Sequence, residues 1–230
     1  MNRLFLGLAL LLLGCVARAQ PVADYRFDNT LDDSLGAAPA LTALQPADGS
    51  FITDTVGPDN RTVRLFSPGG GFQVSSAGLI DNTGYSVAIL LRLDSTGSYA
   101  KILDTRARND DAGLYAQNNR LRLYPLFSGN APRLPPDEWH QVTVTRAANG
   151  DYVGYVDGFR QFSGNDGGVG EISAEALLSF VVDDAVTVGE RSGGAIARIR
   201  LYDYVLSPDV VAVLDDNQVV LRDGFELLPN

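Results

Sequence analysis

Short runs of alternating apolar and polar residues, ended by glycine, proline or asparagine, recur along nearly the whole chain. Successive side chains of a strand point to opposite faces, so a period of two marks a strand with one face buried and one wet. Val87, Ile89, Leu91 and Leu93 line one face of the longest such run. Phe72 and Val74 alternate beyond the Pro68-Gly69-Gly70-Gly71 turn, and Leu121 and Leu123 alternate with Arg120 and Arg122. Ala197, Ile199 and Leu201 alternate with Arg198, Arg200 and Tyr202. Asn118-Asn119, Asn149-Gly150 and Asp157-Gly158 suit two-residue hairpins, because Asn, Asp and Gly tolerate the positive φ of such turns. Helical pattern is clear only at 207–214, where Ser207 stands as N-cap, Pro208 at the first helical position and Asp209 in the first turn. About a dozen strands without helical crossovers predict an all-β fold of two packed antiparallel sheets with a short C-terminal helix. Val87, Ile89, Leu91, Leu93, Ile199 and Leu201 are the expected core between the sheets.

Residues 1–19 read as a signal peptide, leaving 20–230 as one domain. Arg3 is a basic n-region, Leu4 to Leu13 an unbroken apolar run, and Ala17-Arg18-Ala19 a cleavage site before Gln20. The run is shorter than the roughly 20 residues that span a bilayer. Leu12-Leu13-Gly14-Cys15 also resembles a bacterial lipobox, so a lipid anchor on Cys15 is the alternative. Both readings take the protein out of the cytoplasm, to an extracellular, periplasmic or membrane-anchored place.

Without Arg3 and Arg18 of the leader, 16 basic residues face 28 acidic ones, a net charge of −12. Such a surface repels nucleic acid and anionic lipid, and no basic block offsets it. With Cys15 in the leader, the domain holds no cysteine for disulfides or thiolate metal sites. Lys101 is the only lysine of the chain, which reads as compositional bias toward arginine.

Three stretches carry a family resemblance. Gly194-Ala195-Ile196-Ala197-Arg198-Ile199-Arg200-Leu201-Tyr202 followed by Leu206-Ser207 is similar to a closing G-x-I-x-x-[VI]-R-[IL]-Y strand and its Leu-Ser turn. Asp24-Tyr25-Arg26-Phe27-Asp28 with the D-x-x-G turn Asp33-Ser34-Leu35-Gly36 resembles the first strand. Glu138-Trp139-His140-Gln141-Val142-Thr143-Val144 with Asp157-Gly158 resembles the E-W-H-x-V-x-V hairpin. In order, over roughly residues 22 to 215, they resemble laminin G-like jellyroll domains of the concanavalin A-like lectin and glucanase superfamily. The resemblance implies a jellyroll sandwich and leaves function open, because that superfamily hosts lectins, adhesion modules, hydrolases and scaffolds.

It also implies calcium. The family's domains often use an Asp of the D-x-x-G turn, here Asp33, with an acid at the position that Ala197 occupies. Asp183, Asp184 and Glu190 are the acids that replace it in a hairpin reading, since hard cations take clustered carboxylate oxygens. The alternative is that the Asp pair forms a turn and is solvated. Sandwich hydrolases of the superfamily carry E-x-D-x-x-E, and none of Glu138, Glu171, Glu175, Glu190 and Glu226 begins that motif, so no catalytic residue is assigned. The lone His140 reads as a hydrogen-bonded structural residue and Trp139 as packing at a sheet end. The expected function is a secreted, non-enzymatic module that binds a glycan or a surface protein, with variable loops such as 104–113 and 126–137 choosing the ligand. A purely structural envelope module is the alternative, and a glycoside hydrolase the second. The Arg222-Asp223-Gly224-Phe225-Glu226 stretch reads as an edge strand or recognition tail.

Overall fold

The structure is a computed structural model that describes residues 19–44 and 49–214. The leader up to Arg18 with Cys15, and Arg222–Glu226, lie outside the described residues. Fifteen strands run in chain order among those described. They are β1 (Ala23–Tyr25), β2 (Thr42–Leu44), β3 (Phe51–Val56), β4 (Asp59–Phe66) and β5 (Gly71–Ser75). Next come β6 (Gly84–Leu93), β7 (Ala100–Asp104), β8 (Gly113–Gln117), β9 (Arg120–Tyr124) and β10 (Phe127–Ser128). The last are β11 (Trp139–Ala147), β12 (Asp151–Val156), β13 (Phe159–Asn165), β14 (Leu177–Phe180) and β15 (Gly194–Tyr202), before helix α1 (Pro208–Val213).

The strands form two sheets in which every pair is antiparallel. The first is ordered β13-β12-β11-β6-β15-β4-β3, with β1 also on β15; the second is β10-β9-β8-β7-β14-β5-β2. All six expected core residues lie between the sheets at 4% exposure or less. The helix forms with Ser207 as N-cap, its side chain accepting from the Val210 N–H.

Two local expectations are corrected. A bulge in β15 makes Ile196 and Arg198 face the consecutive residues Leu91 and Leu90 of β6, so alternation breaks between them. Ile196 joins the inner core with Ile199 and Leu201, whereas Ala197 packs outward with Trp139, Leu90 and Ala195. The Asn149-Gly150 hairpin is a three-residue loop, because Arg146 pairs with Tyr152 and only Gly150 takes positive φ. Asn118-Asn119 and Asp157-Gly158 are two-residue turns with both residues at positive φ, as expected.

Candidate functional site

The outer face of the first sheet is covered. Trp139, Leu90, Val56, Val63, Ala195 and Ala197 form one cluster on it. Ala88, Tyr155 and Tyr202 form another beneath Leu206 and the helical Val211. Trp139 is therefore packing, with the Arg92 guanidinium 5.7 Å from its ring centroid. His140 Nδ1 lies 2.8 Å from Asp157 Oδ2, while Asp157 Oδ1 accepts from the Gln141 N–H. That histidine ties the hairpin turn to β11.

The outer face of the second sheet is polar. On β7 the inward residues are Ala100, Ile102 and, past a bulge, Leu103; on β8 and β9 they are Leu114 and Ala116, Leu121 and Leu123. Between them Lys101, Tyr115 and Arg122 point outward, and direct pairing sets the three in one row across the strands. Tyr99, Tyr115 and Tyr124 meet edge-to-face with centroids 5.4 to 6.2 Å apart. The Arg122 guanidinium lies 5.4 Å from the rings of both Tyr99 and Tyr124 and donates to Gln117 Oε1 at 2.6 Å.

Two acidic loops, 105–112 and 181–193, close over one end of this row. Lys101 is the residue on which they meet, with its side chain 1% exposed. Its Nζ lies 2.6 Å from Asp184 Oδ2 and 3.3 Å from Asp104 Oδ2. The carbonyl oxygens of Asp110 and Ala112 are at 3.5 and 3.4 Å, and the Tyr115 centroid at 4.9 Å. A Cβ on Gly113 would sit 3.3 Å from Lys101 Cε, so the glycine gives the lysine stem room. Each aspartate uses its other oxygen to fold its loop. Asp104 Oδ1 accepts from the N–H groups of Arg106 and Arg108, and Asp184 Oδ1 from those of Val186 and Thr187. Asp183 Oδ2 accepts from the N–H groups of Gly189 and Glu190.

Of the acids expected from sequence, Asp184 and Glu190 come together. Their carboxylate oxygens and that of Asp111 lie within 4.8 Å of one another, an acidic triad able to hold a metal ion. Asp183 shares the loop but is not one of the three. Its Oδ1 is buried without a partner, as are Asp111 Oδ1 and Glu190 Oε2. Burial raises the Glu190 carboxyl above its ordinary range, and the charges of Asp111, Asp183 and Asp184 add to the rise against a hydrogen bond from Tyr115. Burial acts the same way on Asp184, but Lys101 and the amides of Thr187 and Val186 outweigh it and hold that carboxyl low.

Asp33 stands elsewhere, bridged to Tyr25 beside the first sheet. Its oxygens accept from the N–H groups of Asp24, Leu35, Ala37 and Ala38 at 2.7 to 3.2 Å. Burial would raise its carboxyl, and those four donors more than offset it. Donors in those positions occupy the lone pairs a cation would need. Sequence reasoning missed Asp111, Tyr115 and above all Lys101, which is not compositional noise but the centre of the acidic cradle. Its signal was its singularity: one lysine, in an otherwise apolar strand, followed three residues later by Asp104.

The family model described as the concanavalin A-like lectin/glucanases superfamily matches residues 66–212. The chain belongs to that superfamily. A search of curated proteins returns no match. Among solved structures it is similar to domain 4 of AbnA, a GH43 extracellular arabinanase from Geobacillus stearothermophilus, in complex with arabinotriose. The TM-score is 0.66 at 21% identity, over 87% of this chain and 100% of that one. It is also similar to the ligand binding domain of botulinum neurotoxin serotype D in complex with N-acetylneuraminic acid (TM-score 0.59, 16% identity, 84% of this chain). The binding domain of botulinum neurotoxin DC in complex with rat synaptotagmin II matches at TM-score 0.58 and 15% identity, over 84% of this chain. The chain spans about half the length of those toxin domains. At such identities the likeness is one of fold. No helix among the described residues is long and apolar enough to cross a membrane.

Proposed function

We propose that this concanavalin A-like chain is an exported, non-enzymatic binding module that takes a carbohydrate on the outer face of its second sheet. The observation that carries the proposal is the group formed by Tyr99, Arg122, Tyr124 and Gln117. Two partly exposed aromatic rings flank a guanidinium, and a side-chain amide lies beside it. Sugar rings offer apolar C–H faces to aromatic rings and paired hydroxyls to planar polar groups, so such a group matches them on both counts. The arabinotriose and N-acetylneuraminic acid complexes of the similar domains support this ligand class. Export is supported by the basic start, apolar run and Ala-Arg-Ala site of the leader.

Hydrolysis is disfavoured although acidic groups are close together. A retaining glycosidase holds two carboxyl groups about 5 Å apart on either side of the bond it cleaves. Asp111 Oδ1 and Glu190 Oε2 are buried, so a glycosidic bond does not reach those two oxygens. A surface protein in place of a glycan would also fit the fold, but the tyrosine and arginine group favours the sugar.

Calcium is a second element of the proposal. Asp184 is saturated by Lys101, Tyr115 and two amides, so within the triad Asp111 and Glu190 are the acids with oxygens to offer a cation. Binding to the native state alone stabilises by RT ln(1 + [Ca²⁺]/Kd), about 2.7 kcal/mol at a hundredfold excess over Kd. Melting therefore falls with EDTA and recovers with Ca²⁺ more than with Mg²⁺. A melting curve indifferent to chelator removes calcium from the proposal and leaves the rest.

The test is a glycan array probed with purified protein, followed by calorimetric titration of the best sugar. Tyr124→Ala should weaken binding about tenfold or more, the loss of a stacked aromatic contact, while thermal melting changes little. Binding that ignores both Tyr124→Ala and Arg122→Ala, or an array with no hit, would overturn the assignment.

A further inference from the structure

Lys101 and Asp184 are an amine and a carboxyl held in contact away from water. Their side chains are 1% and 0% exposed, and Nζ lies 2.6 Å from Oδ2. That contact leaves Cγ one bond further away, at about the 3–3.5 Å separation of a near-attack pair. Lysines buried beside other groups serve as nucleophiles elsewhere in protein chemistry. Here the Tyr115 ring bounds the nitrogen on one side and keeps bulk water from it.

We propose that Lys101 and Asp184 condense into a side-chain amide, a covalent bond from strand β7 to the loop after β14.

The surroundings supply each element of that reaction. Asp104 Oδ2, 3.3 Å from Nζ, accepts the first proton of the ammonium and frees its lone pair. The proton passes on to Asp184 Oδ2, which contacts the same nitrogen, so the pair attacks Cγ of a neutral carboxyl and the C–N bond forms as the carbonyl electrons move onto Oδ1. Two backbone N–H groups, from Val186 and Thr187 at 2.7 and 2.8 Å, already point at Oδ1. They stabilise negative charge there as an oxyanion hole does. The tetrahedral intermediate collapses with cleavage of the Cγ–Oδ2 bond, and Oδ2 departs as water. The nitrogen gives up two of its three protons, and those two leave in that water. Atoms and charge balance with no oxidant, reductant or co-reactant. The Tyr115 hydroxyl, 3.3 Å from Oδ2, is placed to hydrogen-bond the leaving oxygen.

Two physical terms favour the product. Effective concentrations of well-placed intramolecular groups reach about 10⁵–10⁸ M, which offsets the cost of condensation in water. A neutral amide also replaces a buried ion pair, whose desolvation is expensive. The Arg146–Asp166 pair, equally buried, has no such outlet, because its guanidinium is not an acylable amine under these conditions.

The test is the mass of the purified wild-type protein, which depends on no variant folding. The expected chain is lighter than its sequence by one water. Trypsin should fail to cut after Lys101 and release Leu93–Arg106 joined to Gln161–Arg191 as one branched species. Full mass with free cleavage after Lys101 overturns the proposal. Lys101→Arg keeps the positive charge and should restore full mass with separate peptides, as should Asp184→Ala. Loss of water that persists in Asp184→Ala places the bond elsewhere and overturns the assignment to Asp184.

Discussion

Two buried ion pairs hold loops onto this sandwich, and they are built on the same plan up to one difference. At one end Arg146 of β11, 2% exposed, holds Asp166 with Nε 2.7 Å from Oδ2. The oxygens of Asp166 accept as well from the N–H groups of Gly168 and Gly170, which folds the loop after β13. At the other, Lys101 holds Asp104 and Asp184, whose second oxygens fold the loops after β7 and β14. The arginine site is closed: both oxygens of its aspartate are taken, and the planar fork matches the carboxylate. The lysine site is open, for a point charge with three donors faces more acid than it can satisfy. Asp111 Oδ1, Asp183 Oδ1 and Glu190 Oε2 stay buried without partners. A closed network spends its chemistry on stability, while an open one keeps acceptors in reserve for a cation, a proton or a bond.

Arg146→Ala strikes the closed site hardest. Removing one partner of a buried pair leaves Asp166 charged and unpaired, at a cost of about 3–5 kcal/mol. Urea denaturation should show that loss, and carbohydrate binding by the folded fraction should not change. A loss below about 1 kcal/mol would mean that the arginine site is not closed.

Exchanging the two cations comes next. Arg146→Lys gives up the bidentate fork and should cost roughly 1–3 kcal/mol, near the value of a charged hydrogen bond. Lys101→Arg forces a larger planar group into a cradle that Gly113 trims to fit the lysine stem, at about 1–3 kcal/mol, to which loss of the proposed amide link adds. Equal tolerance of both exchanges in a melting experiment would show that the identity of the cation is immaterial at these positions.

Much of this is legible in the sequence. The six inward residues and Ser207 announced themselves because a two-sheet sandwich forces a period of two and a helix start needs a cap. The bulge at Ala197 did not, since an inserted residue leaves no compositional trace in a strand that still reads as alternating. Asp183, Asp184 and Glu190 marked, through the density of acid alone, the loop that brings Asp184 and Glu190 to Asp111. Their neighbours were hidden for a topological reason. Lys101 and Asp184 are 83 residues apart, and β14 lies beside β7 only because the second sheet skips six strands. Asp33 was visible as an acid in a tight turn, but a turn that folds on its own aspartate leaves that aspartate nothing to offer a cation.

Glu190 reports on the unsatisfied acids directly, through a modest change in stability with pH. Glu190 has a native carboxyl raised above its ordinary value of 4.5. Folding therefore favours its protonated form, and the sign follows from linkage. The stability it contributes is fully present below the ordinary glutamate value and is lost as pH rises through that value toward the raised one. Glu190→Gln removes the titration while keeping the shape. The variant should match the wild type near pH 4 and become the more stable of the two by pH 7, with the gap opening between. At pH 7 the relief of crowding among Asp111, Asp183 and Asp184 should amount to no more than about 1 kcal/mol, as for most single substitutions of this kind. Saturating Ca²⁺ should close the gap from the other side, because a cation beside Asp111 and Glu190 removes the repulsion that the substitution removes. Urea midpoints at four pH values, with and without Ca²⁺, decide it. A difference between variant and wild type that stays constant from pH 4 to pH 7 would mean that Glu190 feels no such crowding, and the lysine site would then be as closed as the arginine one.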